Sequence, residues 1–225
     1  MPDDDLSSLG FHTVYVDDSL LVLNKRSGLL SVPGRGEDKQ DCLSRRVQQH
    51  YPDALVVHRL DMATSGLMLM ARGLAMQRAL GKLFETRAIH KRYVAVVDGR
   101  LKTSPDWQLI DLPISVDWPN RPLRIIDADH GQPSQTRWRA MLFDEQANTT
   151  RIELEPLTGR SHQLRVHLQA LGHPILGDAL YAPAAVLAKA PRLLLHACAL
   201  TFRQPAVSAT QPTDALLNFE SAPGF

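Results

Sequence analysis

The stretch Val57–Arg72, VHRLDMATSGLMLMAR, decides how the rest of the chain is read. Its second half, GLMLMA (66–71), is an apolar run bounded by turn residues and reads as a buried strand. Its first half sets a cation, a hydrophobe and a carboxylate side by side, directly before a Thr-Ser-Gly turn. A carboxylate at Asp61 has a structural explanation, since it can accept N–H groups of residues 63–65 as an Asx turn. A reactive carboxylate anchored on a rigid strand is the other reading, and these sixteen residues alone leave both open.

Outward from this stretch, HTVYV (12–16), LLVLNK (20–25), RYVAVV (92–97), TRWRAML (136–142), TRIELE (150–155) and RLLLHACALTF (192–202) carry strand patterns between turn residues. Three helices are predicted. Asp41–Tyr51 places Leu43 and Val47 at helical spacing behind an Asp41 cap, and Ala75–Thr86 carries Leu80, Leu83 and Phe84. In SHQLRVHLQALGHP (161–174), Leu164, Leu168 and Leu171 form a stripe, His162, Arg165 and Gln169 fall opposite it, and Gly172 and Pro174 end the helix. Strands without regular βα alternation predict an α+β fold with a mixed, largely antiparallel central sheet, flanked by helices, in a single domain over 1–225. SVPGRG (31–36), DWPNRP (117–122) and HGQP (130–133) are expected to be long loops, where binding residues often sit.

A chain of 225 residues can bury a substantial core without disulfides. Cys42 and Cys198 lie in apolar-patterned segments and suit reduced core thiols. The acidic start MPDDDLSSLG is neither a secretory nor a transit signal, and no apolar run approaches the ~20 residues that span a bilayer. A cytoplasmic protein with no membrane partner is expected. The net charge of +1 says nothing for a polyanion, but its distribution does. Between Arg72 and Arg100 seven Lys or Arg meet only Glu85 and Asp98, while acids gather at Asp3, Asp4, Asp5, Asp17 and Asp18. This asymmetry fits a basic face for phosphates as well as a solvated helix surface.

A second cluster, PLTGRSHQLRVH (156–167), places Arg160 after a Gly where it opens the predicted helix, so that a guanidinium and free helix N–H groups would stabilise an anion. Asp61 facing Arg160 would be held ionised, though Arg160 equally suits a structural ion pair at a helix start. His162 and His167 are spaced H-x4-H, wrong for one helical face, and no H-E-x-x-H accompanies them, so no metal site is expected. For His58 and His196 the residues alone favour buried or hydrogen-bonded structural roles. HRLD echoes the kinase H-R-D loop, but Leu60 interrupts it and no G-x-G-x-x-G or D-F-G is present; G-x-S-x-G and Walker A motifs are also missing.

Taken together, these motifs resemble the RluA-type pseudouridine synthase family. HRLDMATSGL matches its HRLD-x-x-TSG motif, HKRYVAVV (90–97) its K-x-Y motif, and PLTGRSHQLRVHLQALGHPILGD (156–178) its GR-x-HQ-(I/L)R helix and following loop. PRLLLHA (191–197) fits its last motif, and the matches keep family order over residues 11–205. SVPGRG, VHRLDMATSG and DWPNRP most resemble short members that modify both ribosomal and transfer RNA, and the S4-like domain of many relatives is not expected here.

The resemblance implies isomerisation of uridine. The C1′–N1 glycosidic bond breaks, the base rotates and C1′ bonds to C5, whose proton leaves. With no redox change and no net group transfer, no cofactor is implied. The resemblance assigns the essential carboxylate to Asp61, whether it adds to C6, attacks C1′ or takes a ribose proton. Tyr93 matches the tyrosine that packs on the uracil, where the C5 proton must leave, and Arg160 the cation that keeps the carboxylate ionised. Leu164 matches the apolar residue on the other face of the base. Arg59 would fill the place of the extracted uridine, with Leu60 pointing into the fold, and His58, Thr64 and Lys91 complete the implied substrate-binding set. A compact RNA hairpin, read by the loops near 31–36, 117–133 and 173–183, is the implied partner of a monomer. An RNA-binding protein without turnover would need the loops but not Asp61. A two-carboxylate glycosidase lacks an acid partner near it.

Overall fold

The computed structural model describes residues 9–206 and 215–225. The described strands are β1 (Phe11–Val16), β2 (Leu20–Lys25), β3 (Ala54–Val56), β4 (Ser65–Arg72), β5 (His90–Asp98), β6 (Gln108–Asp111), β7 (Ile114–Val116), β8 (Arg124–Ile126), β9 (Gln135–Asp144), β10 (Thr149–Pro156), β11 (Leu195–Arg203) and β12 (Leu216–Glu220). The described helices are α1 (Leu43–Gln48), α2 (Leu74–Glu85), α3 (Gln163–Ala170) and α4 (Ala184–Leu187), with a 3-10 turn at Glu37–Lys39. The described residues fall into two compact units, one within Met1–Lys91 and Ala197–Gly224, the other Arg92–His196 with Phe225.

In the first unit β2 pairs antiparallel with β1 and β4, β3 adds to β4 over Ala54–Val56, and β12 pairs antiparallel with β11. Strand β4 is buried from Ser65 to Ala71, so the apolar run of the opening stretch is a core strand as its composition requires. Leu67, Leu69 and Ala71 pack with Leu20, Val22, Met76, Leu80, Leu200 and Phe202. Gly66 opens this strand at φ +113°, and a Cβ there would lie 2.3 Å from the carbonyl oxygen of Ala197. Only a residue without a side chain fits that approach.

In the second unit the strand order is β5-β10-β9-β6, with antiparallel pairing throughout. The expected α+β architecture, a sheet with few helices, is what forms. Two expectations fail locally. Asp41 does not cap α1: the cap position is Cys42, without a side-chain bond, while the Asp41 carboxylate holds the Arg46 guanidinium at 2.7 and 2.5 Å. A bidentate charge pair outcompetes a single cap bond.

Helix α3 does not divide into an apolar stripe and a polar face either. Leu164 and Leu168 are buried, but so are Gln163, Arg165 and His167, whereas Leu171 lies at the exposed end. Arg165 is buried because its guanidinium meets the equally buried Asp178 at 2.8 and 2.6 Å and stacks over Tyr181. Gly172 ends the helix at φ +79° as expected. DWPNRP is a loop as expected, and it joins the two strands of a hairpin, for Ile114–Val116 pairs antiparallel with Arg124–Ile126.

Candidate active site

In the first unit HRLD forms the approach to β4. Arg59 is exposed, Leu60 is buried and Asp61 is half-buried at the turn, which closes when the Thr64 N–H donates to the Asp61 main-chain oxygen at 3.1 Å. The turn is clamped from the segment after β2. The Gly28 N–H donates to the Met62 oxygen at 2.8 Å, and the Ser27 hydroxyl to the Ala63 oxygen at 2.6 Å. Ser31 donates to the Leu60 oxygen at 2.7 Å and accepts the Leu60 N–H at 3.1 Å. Four consecutive residues, 60–63, are thus fixed by main-chain contacts on either side of the Asp61 side chain, the support a precise site needs.

Beneath the turn lies Lys25, wholly buried, its ammonium donating to the oxygens of Leu29 at 2.8 Å, Arg26 at 3.0 Å and Met62 at 3.1 Å. Burial pushes its pKa down to about 8, opposed by the nearby Asp61 carboxylate. It stays mostly protonated at neutral pH. Lys25, Ser27 and Ser31 carry the loop, and sequence reasoning passed over them. The available signal was a lysine closing the apolar strand LLVLNK, where a charge without partners would not be buried.

His58 accepts the Leu69 N–H on Nε2 at 2.8 Å and stacks on Phe84 at 4.5 Å. Desolvation, and secondarily the Lys91 ammonium, drive its pKa down to about 3, so it is a neutral brace between the motif and β4. Lys91 is itself shifted down by burial and by Arg87. Thr64 is buried. A cleft of about 520 Å³ opens beside the turn, lined by Arg26, Lys39, Arg46, Asp38, Asp41 and Met62 among others. The basic segment is less uniform than its sequence: Arg72 pairs with Asp53 and Lys82 with Glu85, leaving Arg78 and Arg87 exposed around α2.

The second unit holds Tyr93, Arg160 and Leu164. Tyr93 stands on β5 opposite Leu154 of β10 and is half-buried. Arg160 is exposed in the turn before α3 rather than within the helix, and His162, at φ +58°, separates it from the first helical residue. That turn is built by Gln163. Its side-chain oxygen accepts the Arg160 N–H at 3.0 Å and the Thr158 hydroxyl at 2.8 Å, and its amide donates to the Gln135 oxygen and to Thr136. Both histidines of the H-x4-H pair have partners: His162 Nδ1 meets the Tyr181 hydroxyl at 2.6 Å, and His167 bonds Thr136 and the Leu112 oxygen. Among the described residues Asp127, Asp129 and His130 also converge, on an exposed loop where Asp127 accepts the N–H groups of the other two. Among the described residues no helix is long and apolar enough to cross a membrane.

The family model for RNA pseudouridylate synthase matches residues 19–170, which include HRLD, the K-x-Y strand and all of α3. The dual-specificity RNA pseudouridine synthase RluA of Escherichia coli (strain K12) is 49% identical over 206 residues, 92% of this chain and 93% of that protein. The Salmonella typhi protein of the same name is 51% identical over 86% of this chain and 87% of its own. Among solved structures, human RNA pseudouridylate synthase domain containing 1 superposes with a TM-score of 0.76 at 27% identity, covering 99% of this chain and 86% of that one. Human domain containing 4, at 24% identity and TM-score 0.70, shares the fold. The matches run through the clamped Asp61 turn and nearly the whole chain, and the chain belongs to the RNA pseudouridylate synthase family, whose members isomerise uridine to pseudouridine in RNA.

Proposed function

We propose that this enzyme acts on two hairpins, a transfer-RNA anticodon stem-loop and a stem-loop of large-subunit ribosomal RNA, in the cytoplasm, as a monomer and without metal or cofactor. The observation that carries the reading is the near full-length match to relatives named for dual specificity. The cleft beside the Asp61 turn, with Arg26 and Lys39 in its lining, adds a place for RNA backbone.

In this reading Asp61 is the reacting carboxylate. Tyr93 packs its ring on the uracil near the departing C5 proton, Leu164 supplies an apolar contact to the base, and Arg160 supplies the cation that keeps a carboxylate ionised. Arg59, exposed next to Asp61, fills the space left when the uridine is extracted, a step that costs a few kcal/mol. Thr64 and Lys91 support substrate binding, and His58 does so by bracing the motif through Leu69.

Tritium release from C5-labelled uridine in each isolated hairpin, with mass mapping of the product, tests the reading. Both hairpins should be modified about as well as the RNAs they come from. Turnover confined to one of them, or to assembled ribosomes, would contradict dual hairpin specificity.

A further inference from the structure

The β7–β8 hairpin presents a tryptophan for which the isomerisation has no use. Trp118 is 66% exposed, while Trp138 is buried and Trp107 half-buried. The Arg121 guanidinium carbon lies 3.7 Å from the Trp118 ring centroid, covering one side of the indole. Single exposed apolar residues are ordinary. This one is distinguished by how firmly it is held.

The Asp117 carboxylate accepts both the main-chain and the side-chain N–H of Asn120, the Asp117 N–H bonds the Leu123 oxygen at 3.1 Å, and Arg124 donates to the oxygens of Pro122 and Leu123. At the base, Ile114, Val166 and Tyr181 pack with Leu123 and Ile126. The Arg124 N–H donates to the Tyr181 hydroxyl at 3.0 Å. That hydroxyl meets His162 Nδ1 at 2.6 Å, two residues from Arg160. The hairpin is therefore a rigid arm fastened to the turn that carries Arg160.

We propose that Trp118, backed by Arg121, is a stacking platform for an unpaired base of the RNA hairpin other than the reacting uridine. The proposal rests on the RNA-hairpin reading above and names a residue that sets substrate affinity within it. An indole already stacked by a guanidinium on one face offers a nucleobase the other, and base–aromatic stacking tolerates any base. The local charge agrees. Arg121 covers the ring, Arg124 follows it in the hairpin, and the one carboxylate of 117–124, Asp117, is turned in to Asn120, so the tip carries a net positive charge that suits a polyanion. Pre-organisation keeps the ordering cost of binding low.

The test uses the full chain and an anticodon stem-loop with 5-bromouridine at single loop positions. In the Asp61→Asn background, irradiation should crosslink one loop position to Trp118, read by mass spectrometry independently of turnover. Trp118→Ala should raise KM for tritium release by roughly ten- to a hundredfold with kcat within about twofold. Trp118→Phe, which keeps a flat face, should restore KM to within about threefold, and Arg121→Ala should fall between. If wild-type enzyme releases no tritium from the hairpin, the hairpin reading falls. If it does, yet Trp118→Ala has a wild-type KM and no crosslink maps to Trp118, the platform alone is refuted. A kcat loss that Trp118→Phe does not repair would also refute it, by showing a structural role.

Discussion

Lys25 carries a charge where almost no protein tolerates one, fully buried yet bonded to three carbonyl oxygens under the Asp61 turn. Its pKa is about 8 in the fold against 10.5 ordinarily, so between these values the unfolded chain binds a proton that the folded chain does not. Stability therefore rises as pH increases from 8 to 10.5 and loses that increment as pH falls back through 8, by an amount on the order of 3 kcal/mol. Urea unfolding of wild type and Lys25→Met across this window should show the gap moving in favour of wild type at high pH. A gap that stays flat or narrows would mean that the lysine is not buried as described. The residue scale was the least legible in the sequence. Asp61 stood out because a motif surrounds it, whereas Lys25 and Ser31 act through main-chain atoms that no side-chain pattern announces.

Elements of high apolar content were legible, and short ones were not. Strands β2 and β4 follow their apolar runs nearly to the residue, because burial on both faces leaves composition little choice. Strands β3, β7 and β8, three residues each, are too short to leave a periodicity to read. Helix α3 misled because an arginine buried with Asp178 looks, in a helical projection, like an arginine facing water. Removing one partner of that pair leaves an uncompensated charge. Asp178→Asn should cost about 3–5 kcal/mol, read as a fall in Tm of roughly 10 °C. Gly66→Ala should destabilise by at least about 3 kcal/mol, since both the 2.3 Å approach to Ala197 and the positive φ oppose a side chain. A urea midpoint within error of wild type would show that the strand can shift to admit a methyl group.

For the whole molecule the account is one of many weak electrostatic contacts around a single reacting group. With a net charge of +1 and several cations already paired, affinity should come from a limited number of phosphates. The logarithm of the binding constant should fall with the logarithm of salt at about 0.7 per phosphate contacted in single-stranded RNA, and a slope near zero would speak against a backbone-gripping surface. The central claim is narrower, that Asp61 performs the isomerisation while the rest of the surface holds the RNA. It is tested most directly by Asp61→Asn, assayed for tritium release and, in parallel, for hairpin binding. The account predicts that release is abolished while Kd stays within a few-fold of wild type. Substantial turnover by the variant would contradict it.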